Sequence, residues 1–191
     1  MFKQIAVYAA LASFAMAGSG LAQSAGPGAF QPEASRPTQA KLTEIVTWLA
    51  SNFDLPAIYD HPSVELAPAR KIVAMRYKGV LSDRWREDSI DDPAVLAAHQ
   101  RNVVAVYHDK TKTIVLPESW TGANPVELSI LVHEMVHHLQ NLGKLEYECP
   151  AAREKPAYLA QDQFLQLHRL DLEKEFEIDK FTLVARSACM S

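Results

Sequence analysis

The sequence has no run of basic residues longer than two, and its 19 Lys and Arg are outnumbered by 23 Asp and Glu, giving a net charge of −4. Binding to phosphate backbones or anionic headgroups relies on a basic patch, so nucleic acid and charged membrane surfaces are excluded as main partners. Cysteine is nearly absent: only Cys149 and Cys189 occur. In an oxidising compartment an even pair favours one disulfide. Closing a loop of about 40 residues would then stabilise the fold by roughly 4 kcal/mol in the chain-entropy picture. Two free thiols are the other arrangement, because spacing alone does not fix pairing. No internal repeat is visible. Hydrophobic content of 48% and charged content of 22% are ordinary for one globular domain with a core.

Nor does the N-terminus hold enough apolar residues to span a bilayer, which takes ~20. Met1-Phe2-Lys3 supplies a positive charge, Ile5 to Ala17 is apolar and Ala-rich, and Gly20-Leu21-Ala22 offers small side chains at the −3 and −1 positions of a cleavage site. These features predict a signal peptide over residues 1–22, no membrane span in the mature chain, and export to the periplasm or the extracellular medium. No cysteine stands at the cleavage point, so a lipoprotein is not indicated. Residues 23–39, with Gly26, Pro27, Gly28, Pro32 and Pro37, read as a flexible tether before a single domain over 40–191.

Within that domain, Leu42, Ile45, Val46, Leu49 and Phe53 form one helical stripe that Pro56 ends. Lys71 to Lys78 alternates and is expected to be a strand, followed by a polar, acidic loop over 79–92 that holds Trp85. The β-branched runs at 102–107 and 112–116, separated by His108-Asp109-Lys110-Thr111, predict a β-hairpin. The period then turns helical. Asn124 suits an N-cap, Pro125 suits N1, Glu127 stands at N3 as in a capping box, and Gly143 suits C′, which bounds a helix over 125–142. Apolar residues lie on most of its sides, so it is expected to be buried. A second helix is expected to start between Pro150 and Arg153 and reach about Leu170, and a third to cover 172–184. The acidic stretch 171–179 reads as a solvated face.

The strongest chemical signal is His133-Glu134-Met135-Val136-His137. Positions i and i+4 share one helix face, so both imidazoles can reach one tetrahedral zinc ion, with Glu134 beside them to take a proton from water. His138 points about 100° away and should miss that ion, pairing with loop backbone or solvent instead. His61, His99 and His108 sit in turn-like or polar contexts, and His168 is too far along its helix to share the site.

This HExxH helix after a hairpin resembles the zincin metallopeptidases. The metzincin branch needs Gly where Gln140 stands and His where Gly143 stands, so the resemblance is to the gluzincin branch. The third ligand there is a Glu on the following helix, and Glu154-Lys155-Pro156-Ala157 matches the Glu-x-x-Ala form. The resemblance covers about residues 102–160. It implies an α+β fold: a small zincin-like domain with a short antiparallel sheet or hairpin packed on the active-site helix and the helices after it. It also implies one Zn2+ held by His133, His137 and Glu154, Glu134 as general base, a peptide or protein substrate held extended along the hairpin, and Tyr158 or Tyr147 as oxyanion stabiliser.

Helix geometry independently favours Glu154. The chain must reverse after Gly143 and climb several residues at ~1.5 Å each before it can face the two histidines, which leaves Glu146 and Glu148 inside the reversal. Two further readings share the same motif: a non-catalytic zinc-binding or interaction protein, and an amidase acting on cell-wall peptide.

Overall fold

The structure, a computed structural model, describes residues 36–77 and 104–189, all within the unit Pro32–Ser191. The expected signal peptide, most of the tether, the 79–92 loop with Trp85, His99, and the first two residues of the expected 102–107 strand lie outside the described residues. What is described is a small α+β domain with a three-stranded sheet and six helices.

Helix α1 (Gln39–Asn52) starts where the Thr38 hydroxyl accepts the Lys41 N–H at 3.2 Å, and it buries Leu42, Ile45, Val46 and Leu49, the stripe that its sequence spacing predicts. Strand β1 (Ser63–Ala67) follows, then α2 (Ala69–Tyr77), β2 (Val106–His108) and β3 (Thr113–Pro117). The sheet order is β1-β3-β2. β2 pairs antiparallel with β3, Tyr107 opposite Ile114, as a hairpin requires. β1 pairs parallel with β3, Val64 opposite Ile114, so the sheet is mixed and not purely antiparallel. Its central strand is buried from Thr113 to Leu116, because both faces are covered.

The strand expected from Lys71 to Lys78 is instead helix α2 as far as Tyr77, and Lys78 lies outside the described residues. Ile72 and Val73 are adjacent and both buried, against Ala67 and Val115. A strand sends neighbours to opposite faces, whereas one side of a helix can bury both. The strand lies just upstream, in Ser63-Val64-Glu65-Leu66-Ala67, whose first four residues alternate polar and apolar, the period-2 signal.

α2 therefore covers one face of the sheet. On the other face, Tyr107, Ile114 and Leu116 meet α1 and α3 (Pro125–Leu142) in the main core. The Asn124 side chain accepts the Glu127 N–H at 2.9 Å, as an N-cap should. Glu127 reaches further back than a capping box predicts, accepting from the Thr121 hydroxyl at 2.7 Å and the N–H groups of Thr121 and Ala123. At the other end the left-handed position belongs to Lys144, not Gly143: Gly143 is right-handed, and Leu145 N–H bonds Gln140 O while Lys144 N–H bonds Asn141 O. Gly143 is small for a different reason, since a Cβ there would stand 2.8 Å from the Pro56 ring.

A 3-10 turn at Pro150–Arg153 leads into α4 (Glu154–Gln166), which ends before the expected Leu170. Pro156 stands in the first turn of α4, where a missing N–H costs no internal bond. The expected third helix is two: α5 (Leu172–Phe176) and α6 (Lys180–Ser187). Glu177 takes a left-handed backbone between them, and Asp179 caps a fresh helix by accepting the Thr182 N–H at 2.7 Å. The acidic stretch thus supplies caps as well as solvated surface. Cys149 and Cys189 are joined in a disulfide that ties the end of α6 to the turn before α4, which points to a non-reducing compartment. No helix among the described residues is long and apolar enough to cross a membrane.

Candidate metal centre

His133, Glu134 and His137 lie on the buried middle of α3, each less than a tenth exposed. The reversal after α3 brings α4 back along it: Gln140 meets Arg153, His137 meets Glu154, and His133 meets Gln161, an antiparallel pairing. Glu154, first residue of α4 and also buried, thereby faces both histidines. Glu146 and Glu148 remain exposed in the reversal.

Three atoms converge. His133 Nε2 and His137 Nε2 are 3.3 Å apart, and Glu154 Oε2 lies 3.3 Å from the first and 3.4 Å from the second. Ligands placed ~2.0–2.1 Å from one tetrahedral ion stand roughly 3.3 Å from each other, so the triangle has the size that one such ion requires. This buried group can hold one metal ion.

The hydrogen bonds also fix which ring nitrogens carry protons. The Ser129 hydroxyl donates to Val126 O at 2.7 Å and so accepts the Gln161 side-chain N–H. That turns Gln161 Oε1 toward His133 Nδ1 at 3.1 Å, and an amide oxygen can only accept. Likewise Gln140 Nε2 donates to Arg153 O at 3.0 Å, leaving its Oε1 to accept from His137 Nδ1 at 3.0 Å. With both Nδ1 atoms protonated, it is the Nε2 of each ring that is turned to the same point as a carboxylate oxygen. A cation satisfies all three together.

Arg76, at the end of α2, donates to Glu154 Oε1 at 2.9 Å, which leaves Oε2 as the single oxygen turned inward. Burial pushes the Glu154 carboxyl upward, but hydrogen bonds and charge from the two histidines outweigh it and hold the group well below the usual carboxylate range. His137 shows the reciprocal effect: burial lowers it, while Glu154, the Glu134 charge and Gln140 together raise it.

A cleft of about 200 Å³ opens onto the centre. Glu134 lines it, as do Tyr158, Arg76 and Arg186, and so do Val106 and Tyr107 of β2, an edge strand among the described residues. The Tyr158 ring stacks edge-on against His133 with centroids 4.7 Å apart, and its hydroxyl accepts from Arg186 at 3.1 Å. Burial raises the Tyr158 pKa, so the phenol keeps its proton. Tyr147 is half-buried near Gln140 and is not among the residues lining the cleft.

A family model described as a domain of unknown function, DUF6647, matches residues 34–191. The chain belongs to the DUF6647 family. No curated protein and no solved structure matches it.

In this DUF6647 domain, sequence reasoning missed three residues around the donors: Gln140, Gln161 and Arg76. Gln140 follows His137 by three positions, one turn along the same helix, so helical spacing alone could have flagged it. Gln161 lies seven positions after Glu154, two turns on and on the same face. Nothing local marks Arg76, which reaches the centre only because its segment is a helix laid over the sheet. The other histidines among the described residues stand apart. His138 Nε2 donates to Asp60 O, His61 pairs with Thr43, His108 with Thr111, and the His168 ring packs against Phe164.

Proposed function

We propose that this DUF6647 protein is an exported, zincin-like metallopeptidase of the gluzincin type, acting in the periplasm or extracellular medium with one zinc ion at His133, His137 and Glu154. The observation that carries the reading is the convergence of three buried donor atoms, from His133, His137 and Glu154, beside Glu134 in a cleft bordered by β2. A zinc ion held there supplies Lewis acidity toward a carbonyl oxygen and acidifies water near neutral pH.

The chain's own groups do the rest. Glu134 takes the proton of the attacking water and passes it to the leaving amine, the work of a general base turned general acid. The outer edge of β2 offers main-chain donors and acceptors to an extended peptide. Tyr158 accepts a hydrogen bond from Arg186 and keeps its own proton to give to a developing oxyanion.

Zinc-loaded protein incubated with a quenched-fluorescence peptide library tests this reading. Glu134→Gln should keep one zinc per chain and lose turnover by ~10² or more. Hydrolysis at the wild-type rate in that variant would reject the assigned base. Zinc uptake by wild type with no cleavage of any peptide would reject the peptidase and leave a metal-binding protein.

A further inference from the structure

Resting on the metal-centre reading, we propose that Gln140 and Gln161 are positioning residues, each fixing one histidine as an Nε2 ligand by accepting its Nδ1 proton on an uncharged amide oxygen. Imidazole ligands need an outer partner that sets tautomer and ring angle, and a carboxylate or a backbone carbonyl commonly fills that place. Here two side-chain amides fill it, 3.1 Å from His133 and 3.0 Å from His137. Both are buried, with Gln140 2% and Gln161 4% exposed.

An amide acts this way only if its oxygen is kept from swapping places with its nitrogen. The structure provides a lock for each. Gln140 has its nitrogen on the Arg153 carbonyl, and the Arg153 Nε–H approaches its oxygen at 3.4 Å. Gln161 has its nitrogen on the Ser129 hydroxyl, whose proton is already committed to Val126 O. The locks come from different places, Arg153 in the turn before α4 and Ser129 one helical turn above His133 on α3. The two rings are therefore set independently.

The chemical consequence is a weakly charged outer shell. A carboxylate at either position would draw on the Nδ1 proton and make the ring a more basic ligand. An amide orients the ring without adding negative charge, and Arg76 balances the one anionic ligand, Glu154. The two amides therefore orient the rings without placing a further negative charge beside them.

Chelator-competition titration of zinc into the full chain tests this, with the cobalt(II) visible spectrum as a second reading of ligand geometry. Gln161→Leu and Gln140→Leu should each weaken zinc binding by about 10–100-fold. Gln161→Glu keeps an acceptor for Nδ1–H, and Ser129 can rotate to donate to it. It should bind zinc at least as tightly as wild type and keep the tetrahedral cobalt spectrum. Leucine variants with wild-type affinity would overturn the proposal, as would a Gln161→Glu variant as weak as Gln161→Leu. Urea unfolding in EDTA checks that the variants fold. If a leucine variant does not, Gln161→Glu alone decides, and tenfold weaker binding there overturns the assignment. Metal uptake by wild type with unchanged leucine variants removes the positioning role alone, whereas no uptake by wild type removes the metal centre with it.

Discussion

His137 and His138 are neighbours on one helix and both are shut away from solvent, yet the two sides of α3 treat them oppositely. On the side facing α4, His137 has its Nδ1 on Gln140 Oε1, and its Nε2 converges with His133 Nε2 and Glu154 Oε2. On the side facing β2 and the segment before β1, His138 has both nitrogens satisfied. Its Nε2–H donates to Asp60 O at 2.6 Å, and its Nδ1 accepts from the Tyr107 hydroxyl at 3.1 Å, which in turn accepts from Asn141 at 2.8 Å. A buried imidazole can serve as a ligand when one of its nitrogens converges with other donor atoms on a single point. It serves as a structural strut when each nitrogen is committed to a separate hydrogen-bond partner. Electrostatics follow the same division: Glu154 and Glu134 raise His137, while burial lowers His138.

The sharpest way to break this contrast is to remove the acidic partner that only one side has. Glu154→Ala should cost zinc affinity by orders of magnitude, since a third protein ligand is lost. Glu146→Ala and Glu148→Ala, both in the exposed reversal, should keep near-full metal content. Equilibrium dialysis followed by elemental analysis reads all three, and zinc kept in Glu154→Ala but lost in Glu148→Ala would move the third ligand into the loop.

A second test works on the other side. His138→Ala removes a fully buried ring and leaves the Asp60 carbonyl and the Tyr107 hydroxyl short of a partner. Cavity and lost hydrogen bonds together should cost about 2–3 kcal/mol of stability. Because the strut shares no donor with the metal centre, zinc affinity in the folded variant should change little. Urea unfolding with EDTA, set beside a zinc titration, separates the effects. A His138→Ala protein that folds normally and yet fails to bind zinc would show that the two sides are not distinct.

The contrast also explains what could be read from the chain. His133, Glu134 and His137 were legible because one helix fixes their spacing, and the 100° offset of His138 was legible for the same reason. Glu154 was legible because a reversal of known rise limits where the chain can next face the histidines. Arg76 was not, because Lys71 to Lys78 fits both periods, and only the simultaneous burial of Ile72 and Val73 against Val115 decides for a helix. β1 was overlooked for a related reason: only four residues alternate, and what makes the segment a strand is pairing with β3, 50 positions away. The break between α5 and α6 was visible only as an Asp able to cap, and caps compete with helix continuation at a level that packing settles.

The smallest effect is expected at the start of α3, which both sides share. Burial pushes the Glu127 carboxyl upward, but the Thr121 hydroxyl and the N–H groups of Thr121, Ala123 and Gly122 outweigh it, so its pKa lies below the ordinary value. A carboxyl lowered in the folded state adds stability that is complete above its unfolded value of ~4.3 and fades as pH falls through the folded value. The negative charge also sits in the first helical turn, where the macrodipole favours it by about 0.3–1 kcal/mol at low salt. Partial exposure and screening keep the total near that range. Glu127→Gln should therefore destabilise the domain by less than about 1 kcal/mol at pH 7, with the gap to wild type narrowing below pH ~4 and shrinking in high salt. Measured by urea unfolding in EDTA across pH 3 to 7, a gap that stayed constant would reject the electrostatic origin. Zinc affinity should not move, because this lock sets the helix as a whole and touches neither His137 nor His138. A Glu127→Gln variant that lost zinc before it lost stability would mean that the metal side of α3 depends on the helix start more than the strut side does.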